Sequence, residues 1–177
     1  LLDADQILTL TADELLKGLG ARRVDVVTFE RGQAFWKIAS PRSKNTLPRP
    51  LPYAPIFGRL RESLGIFSTD DARSEMELAP LAEMLGENVM ALVALPLISK
   101  QELSALIFVQ TANEIRFGSN ELDVARTIIN QSTVALENAR LYQLSVRTAD
   151  RFAILNETSS QVSSSLDPEE VYLSARR

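Results

Sequence analysis

The sequence has 177 residues, 45% hydrophobic and 24% charged, the composition of an ordinary globular chain of about one domain. Its 19 Lys and Arg against 23 Asp and Glu leave a net charge of −4, without the concentrated basic surface that a nucleic-acid partner requires. Cys and His are both absent. That excludes, within this chain, a disulfide framework, a thiolate nucleophile, a Cys/His zinc centre, haem held by His or Cys, and a Ser–His–Asp triad. The longest apolar run, Val89 to Ile98, is ten residues against the roughly 20 needed to cross a bilayer. No basic-then-apolar leader opens the sequence, so neither a span nor a targeting signal is expected.

Thr11 and Glu14 stand at capping-box spacing and predict a helix start, with Gly18 and Gly20 ending the helix. Ile7, Leu8 and Leu10 predict a further helical segment feeding into it. Val24 to Phe29 and Phe35 to Ile38 are β-branched and aromatic, flanking Glu30-Arg31-Gly32; they read as a hairpin. From Ser40 to Pro55 the periodicity is lost and prolines recur at 41, 48, 50, 52 and 55, which reads as a long loop. Pro52-Tyr-Ala-Pro55 fits a PxxP string, though in so proline-filled a loop stiffening of the chain is the better reading.

A helix is predicted next, from Pro55 to Leu64, with Ile56, Phe57, Leu60 and Leu64 on one face and Gly65 as the stop. Ile66 to Ser68 reads as a short strand and Thr69 to Asp71 as its turn; Ser74 and Glu77 suit one capped turn. A short helix is expected from Pro80 to Gly86. Met90 to Ile98 and Leu103 to Gln110 are nearly continuous apolar runs, the mark of central strands covered on both faces. From Asn120 onward, Leu122, Ala125, Ile128, Ile129, Ser132, Ala135 and Ala139 recur at helical spacing, and the pattern runs to about Leu166.

Within that stretch, Ala135, Ala139, Tyr142, Val146 and Ala149 step by 4, 3, 4 and 3, and Phe152, Leu155, Ser159, Val162 and Leu166 by 3, 4, 3 and 4. Both are coiled-coil seams, joined by a step of 3 where 4 is due, a stammer-like interruption. Tyr142, Val146, Phe152, Leu155 and Val162 are the predicted dimer and linker contacts. Finally, Leu166-Asp-Pro-Glu-Glu-Val-Tyr172 echoes Leu10-Thr-Ala-Asp-Glu-Leu-Leu16, as chance capping boxes or as the opening of a second, similar domain.

This order of elements resembles the GAF domain family. The likeness is carried by "ADELLKGLGARRVDVVTFE", "PIFGRLRESLGIFSTDD", "MALVALPLISKQELSALIFVQTA" and "RFGSNELDVARTIINQSTVALENARLYQ". It implies an α/β (α+β) fold: a central antiparallel sheet, the first and last helices on one face, and a pocket-forming helix and loop cap on the other. It further implies a GAF domain over 1–145, a linker helix over 146–166 and the start of a second GAF domain over 167–177. The family's role implies a non-catalytic, cytoplasmic sensory module, such as that of a histidine kinase or cyclase. It would bind a small molecule, form a homodimer and relay a signal to an effector domain in the same polypeptide. The alternatives are a ligand-free dimerisation or spacer module and the input domain of a transcription activator.

Particular family chemistries are excluded or weakened by the residues present. Bilin attachment through Cys and sulfoxide reduction by Cys are excluded. Of the cyclic-nucleotide pattern, Asn113, Phe117 and Glu121 match, but Glu114 stands where Lys belongs and Leu122 where the final acid belongs. No cofactor is expected, and any ligand is an unidentified small molecule. Its candidate contacts are Phe29, Trp36, Arg59, Asp70, Asp71 and Arg73. Trp36 and its neighbour Phe35 must face opposite sides of a strand, so one of them meets the pocket side, although aromatics at such positions more often simply pack the core. Asp70, Asp71 and Arg73 equally suit a solvated turn, and Arg59, with Arg61, suits a wet helical face. The cap, from Tyr53 to Leu85, is expected to leave a mostly apolar cavity over the sheet.

Overall fold

The structure, a computed structural model, describes residues 3–42, 47–111 and 117–165, with side chains to 155. The chain divides into two compact units, Leu1–Glu137 and Asn138–Arg177.

Helix α1 spans Ala4–Gly18. It starts earlier than the Thr11 box: Asp3 accepts from the Gln6 N–H at 2.8 Å, and the Gln6 side chain accepts from the Asp3 N–H at 3.0 Å. Ile7 and Leu8 share a buried face with Thr11, Ala12 and Leu15, so burial favours one uninterrupted helix over a helix entering at Thr11. Thr11 is therefore an interior residue, its hydroxyl 2.8 Å from the Ile7 carbonyl.

The sheet has six antiparallel strands in the order β3-β2-β1-β6-β5-β4. These are β1 Arg23–Glu30, β2 Gln33–Ser40, β3 Arg49–Pro50, β4 Phe67–Thr69, β5 Leu92–Ser99 and β6 Glu102–Gln110. The hairpin and the two apolar strands lie where the sequence predicts them. The two-residue β3 lies inside the predicted loop, at the sheet edge, where a proline costs no ladder bond.

Register assigns the faces. Val26 pairs with Ile38, but Val27 pairs with Trp36, so Lys37 is an extra residue that switches the parity of β2. One face carries Val24, Val26, Val93, Leu95, Ile107 and Val109, packed under Leu8, Ala12 and Leu15 of α1 and Ala125 and Ile129 of α4. The other carries Val27, Trp36, Leu92, Ala94, Leu106 and Phe108. Helix α4 is Ser119–Ser165, so the first and last helices cover one face, as expected.

The second face is closed by α2 (Pro55–Ser63), a 3₁₀ turn (Met76–Leu81) and α3 (Ala82–Leu85). Ile56, Phe57, Leu60, Leu78, Leu81 and Met84 descend from them onto the strands in one apolar cluster. Three local readings are corrected. Helix α2 ends on Leu64, which takes the left-handed conformation at φ 50°, rather than on Gly65. Ser74 caps no turn; its hydroxyl donates to the Asp71 carbonyl at 2.9 Å, and the 3₁₀ turn starts from Glu75. Pro80 lies within that turn and does not open α3, because its ring suits the tight i→i+3 geometry that precedes the helix. The proposed second domain start, residues 166–177, lies outside the described residues.

Candidate functional site

The cap face buries a charge. Asp25 alternates with Val24 and Val26, so a strand covered on both sides carries its carboxylate inward, where it is 0% exposed. Arg23 Nε donates to both of its oxygens at 3.0 Å. Trp36 Nε1 donates to Oδ1 at 3.0 Å and Gln110 Nε2 to Oδ2 at 2.6 Å. Three strands converge here: β1 brings Arg23 and Asp25, β2 brings Trp36, and β6 brings Gln110. The Arg23 guanidinium lies over the Trp36 ring, 5.2 Å from its centre. Burial pushes the Asp25 carboxyl up from 3.8 to about 6, against the lowering pull of Arg23, Trp36 and Gln110. A small pocket of about 110 Å³ opens beside the cluster, lined by Arg22, Arg23, Gln110 and the Gly86–Val89 loop.

At the other end of β1 lies a wider groove of about 300 Å³, between the β1–β2 turn and α2. Phe29 and Phe57 meet edge to face, with centroids 5.5 Å apart. Arg61 stacks on Phe29 at 5.2 Å. Tyr53, 73% exposed, closes one side, and Gly58 makes room for it: a Cβ there would lie 3.1 Å from the Tyr53 hydroxyl. Glu62 and Gln33 complete a rim that offers aromatic surface, one cation, one anion and an amide. A third opening of about 290 Å³, beside Leu64, Ile66, Leu95 and Ile129, is mainly aliphatic.

The predicted site residues are dispersed. Phe29 lines the α2 groove. Trp36 is 1% exposed and holds Asp25 instead of facing an opening. Neither it nor Phe35 lines the larger pockets formed by the described residues. Arg59 pairs with Glu77 at 3.0 Å and covers Phe67, tying α2 to the 3₁₀ turn. Asp71 accepts from the Arg73 N–H at 3.3 Å, an Asx-type turn after β4, and the Arg73 guanidinium reaches Met90 Sδ at 3.2 Å. Asp70 is exposed in the same turn. Phe117 packs onto the helix-covered face, while Asn113 and Glu114 lie outside the described residues. The sequence reading missed Asp25, Arg23 and Gln110, although an acid inside Val-Asp-Val-Val is itself the signal.

No protein-family model matches the sequence, and no curated protein matches it. Solved structures do match in shape. The GAF domain/HD domain protein from Geobacter sulfurreducens is 16% identical, with a TM-score of 0.65 over 80% of this chain and 97% of its own. The GAF domain of a two-component sensor histidine kinase from Bacillus halodurans is 14% identical, with a TM-score of 0.64 over 78% and 97%. The PixJ GAF domain of Thermosynechococcus elongatus, in its blue-light absorbing form, is 17% identical, with a TM-score of 0.67 over 83% and 91%. A six-stranded antiparallel sheet between paired terminal helices and a helical cap defines an α+β domain class. Within it, this chain has the fold of a GAF domain.

Proposed function

We propose that this chain is a non-catalytic, cytoplasmic sensor domain of a signalling protein, binding a small molecule in the groove between the β1–β2 turn and α2. The observation that carries this reading is the groove itself: Phe29, Tyr53 and Phe57 supply aromatic walls, and Arg61 and Glu62 supply opposite charges at one rim. That combination suits an amino acid or a small aromatic acid, gripped by stacking and by its carboxylate. The fold relatives include the GAF domain of a sensor histidine kinase and a far-red cyanobacteriochrome photoreceptor, which supports a sensory role for the fold. Among the described residues no group of His, Cys, Asp and Glu is placed to hold a metal ion, and none of their helices is long and apolar enough to cross a membrane.

A thermal-shift screen of amino acids, small aromatic acids and nucleotides tests the groove. A ligand at 100 times its Kd adds about 2.7 kcal/mol, several degrees for a domain of this size. Arg61→Ala should abolish the shift. A panel without hits, or hits that shift Arg61→Ala equally, removes the groove from consideration.

Dimerisation through α4 is a second reading, favoured by its exposed apolar residues: Leu141, Tyr142 and Val146, and more strongly Phe152 and Leu155 at 62% and 61% exposed. Ala139, placed in the predicted seam, is buried and unavailable to a partner. Val134, Leu141, Thr148, Phe152 and Leu155 instead form an uninterrupted heptad series on one continuous helix, so no stammer is needed. The side chain of Val162 lies outside the described residues. Sedimentation of the 1–177 chain beside one ending at Gln143 decides it: a dimer lost on truncation supports the seam, and two monomers at high micromolar concentration sink it.

A further inference from the structure

We infer that the pocket at the shared end of β1 and β6 is a binding site for a compact oxyanion, gripped by the guanidinium groups of Arg22 and Arg23. It is separate from the groove at Phe29, which lies at the opposite end of β1. The pocket is lined by both arginines, Gln110, Thr111 and the Gly86–Val89 loop. Its volume of about 110 Å³, against roughly 30 Å³ per water in the liquid, has room for about four heavy atoms. That is the scale of phosphate, sulfate or a small carboxylate.

Both arginines line the pocket. Arg23 commits Nε to the two Asp25 oxygens, and its guanidinium is laid flat on Trp36. Its Nη2 is buried and has no hydrogen-bond partner. A buried cationic donor without an acceptor is costly, and the planar fork of Arg is suited to bidentate contact with an oxyanion. Arg22 is exposed at the mouth, and its main-chain N–H donates to the Gln110 carbonyl at 2.9 Å, which fixes the end of β1 against β6. Among the described residues the Arg22 side chain has no acidic partner. Two acids oppose the anion: Asp25 behind Arg23, and Glu87, exposed on the loop. Asp25 also orients the Arg23 guanidinium, so its cost in charge is offset by a fixed geometry. Glu87 has no such second role and serves as a control.

Trp36 is the sole tryptophan and lies under the Arg23 guanidinium, so its emission reports on the site directly. The 177-residue chain is titrated with inorganic phosphate, and in parallel with acetate, at fixed ionic strength balanced with chloride. Calorimetry of the same titrations covers the case of a silent fluorophore. We expect saturable binding with a Kd near or below about 10 mM. Arg22→Gln should weaken it by about tenfold, and Glu87→Gln should tighten it; both residues are exposed, so the variants keep the fold. Arg23→Gln should abolish it. Phosphate binding alone assigns a phosphate-type ligand; acetate binding extends the site to carboxylates. Chloride reproducing the signal, no saturation in either assay, or equal affinity in the parent, Arg22→Gln and Glu87→Gln would overturn the assignment.

Discussion

The two faces of the sheet are made from similar aliphatic residues and differ in what else they bury. The face under α1 and α4 holds mainly Leu, Val, Ile and Ala; its polar links are the hydroxyl pair Thr11–Ser132 at 2.7 Å, the Ser40 hydroxyl donating to Asp13, and the Lys37–Asp5 and Ser99–Glu137 contacts. The cap face holds the tryptophan, Phe57, Phe67, Phe108 and a carboxylate with donors from three strands. An aliphatic face has one way to be satisfied, which is to stay packed. A face with a buried charge depends on proton and donor geometry as well.

The largest effect should come from the residue that joins packing to charge. Trp36→Ala removes a fully buried indole and one donor to Asp25, and should cost about 4–5 kcal/mol. Leu95→Ala, equally buried on the helix-covered face, creates a cavity only and should cost about 3 kcal/mol. Urea denaturation midpoints measure both. A Leu95→Ala loss equal to that of Trp36→Ala would mean that the donor to Asp25 contributes nothing.

Next in size is a pH dependence confined to the cap face. The Asp25 carboxyl titrates at about 6 in the fold, above its ordinary 3.8, so between these values the folded chain binds the proton more tightly than the unfolded one. The contribution of Asp25 to stability is therefore highest below about pH 4 and falls as pH rises. It is flat above about pH 6.5, after a total loss on the order of 3 kcal/mol. The quantity to measure is the stability of the parent minus that of Asp25→Asn, from pH 4 to 8, which cancels the other carboxylates. A difference that stays level, or rises with pH, would show that burial does not dominate at this site.

Much of the architecture was legible because sheet strands announce themselves by composition. Met90–Ile98 and Leu103–Gln110 have too few polar residues for a wet face, and they became β5 and β6 beneath covers on both sides. Helix ends were less legible, since capping boxes recur by chance: Thr11 and Glu14 satisfy the spacing, yet burial of Ile7 and Leu8 carries the helix back to Asp3. The switch of face at Lys37 is invisible in sequence, because a bulge is set by pairing between strands. The site suffered from a different fault. Exposed charges such as Asp71, Arg59 and Arg73 drew attention as candidates, and they turn out to hold local turns and helix surfaces. Asp25 stood between Val24 and Val26 in a predicted strand, and a carboxylate that such a strand buries must find partners or take up a proton. Arg23 stands two residues away on the same strand, but the other partners of Asp25 come from β2 and β6, eleven and 85 residues away, beyond the reach of any motif.

The smallest effect belongs to the helix-covered face and tests whether the hydroxyl pair between its two helices matters. The Thr11 and Ser132 hydroxyls lie 2.7 Å apart, and each is also 2.8 Å from a carbonyl of its own helix, Ile7 and Ile128. Each hydroxyl therefore keeps a main-chain acceptor when the other is removed. Ser132→Ala should cost only about 0.5–1 kcal/mol, well below the cost of stranding a buried group. The double variant Thr11→Val with Ser132→Ala replaces both partners with apolar groups and should lie within about 0.5 kcal/mol of the parent, giving a coupling energy of the same small size. Chemical denaturation of the two single variants and the double variant closes the cycle. A coupling above about 2 kcal/mol would place a polar dependence on this face as strong as that at Asp25, and the contrast between the two sides of the sheet would no longer hold.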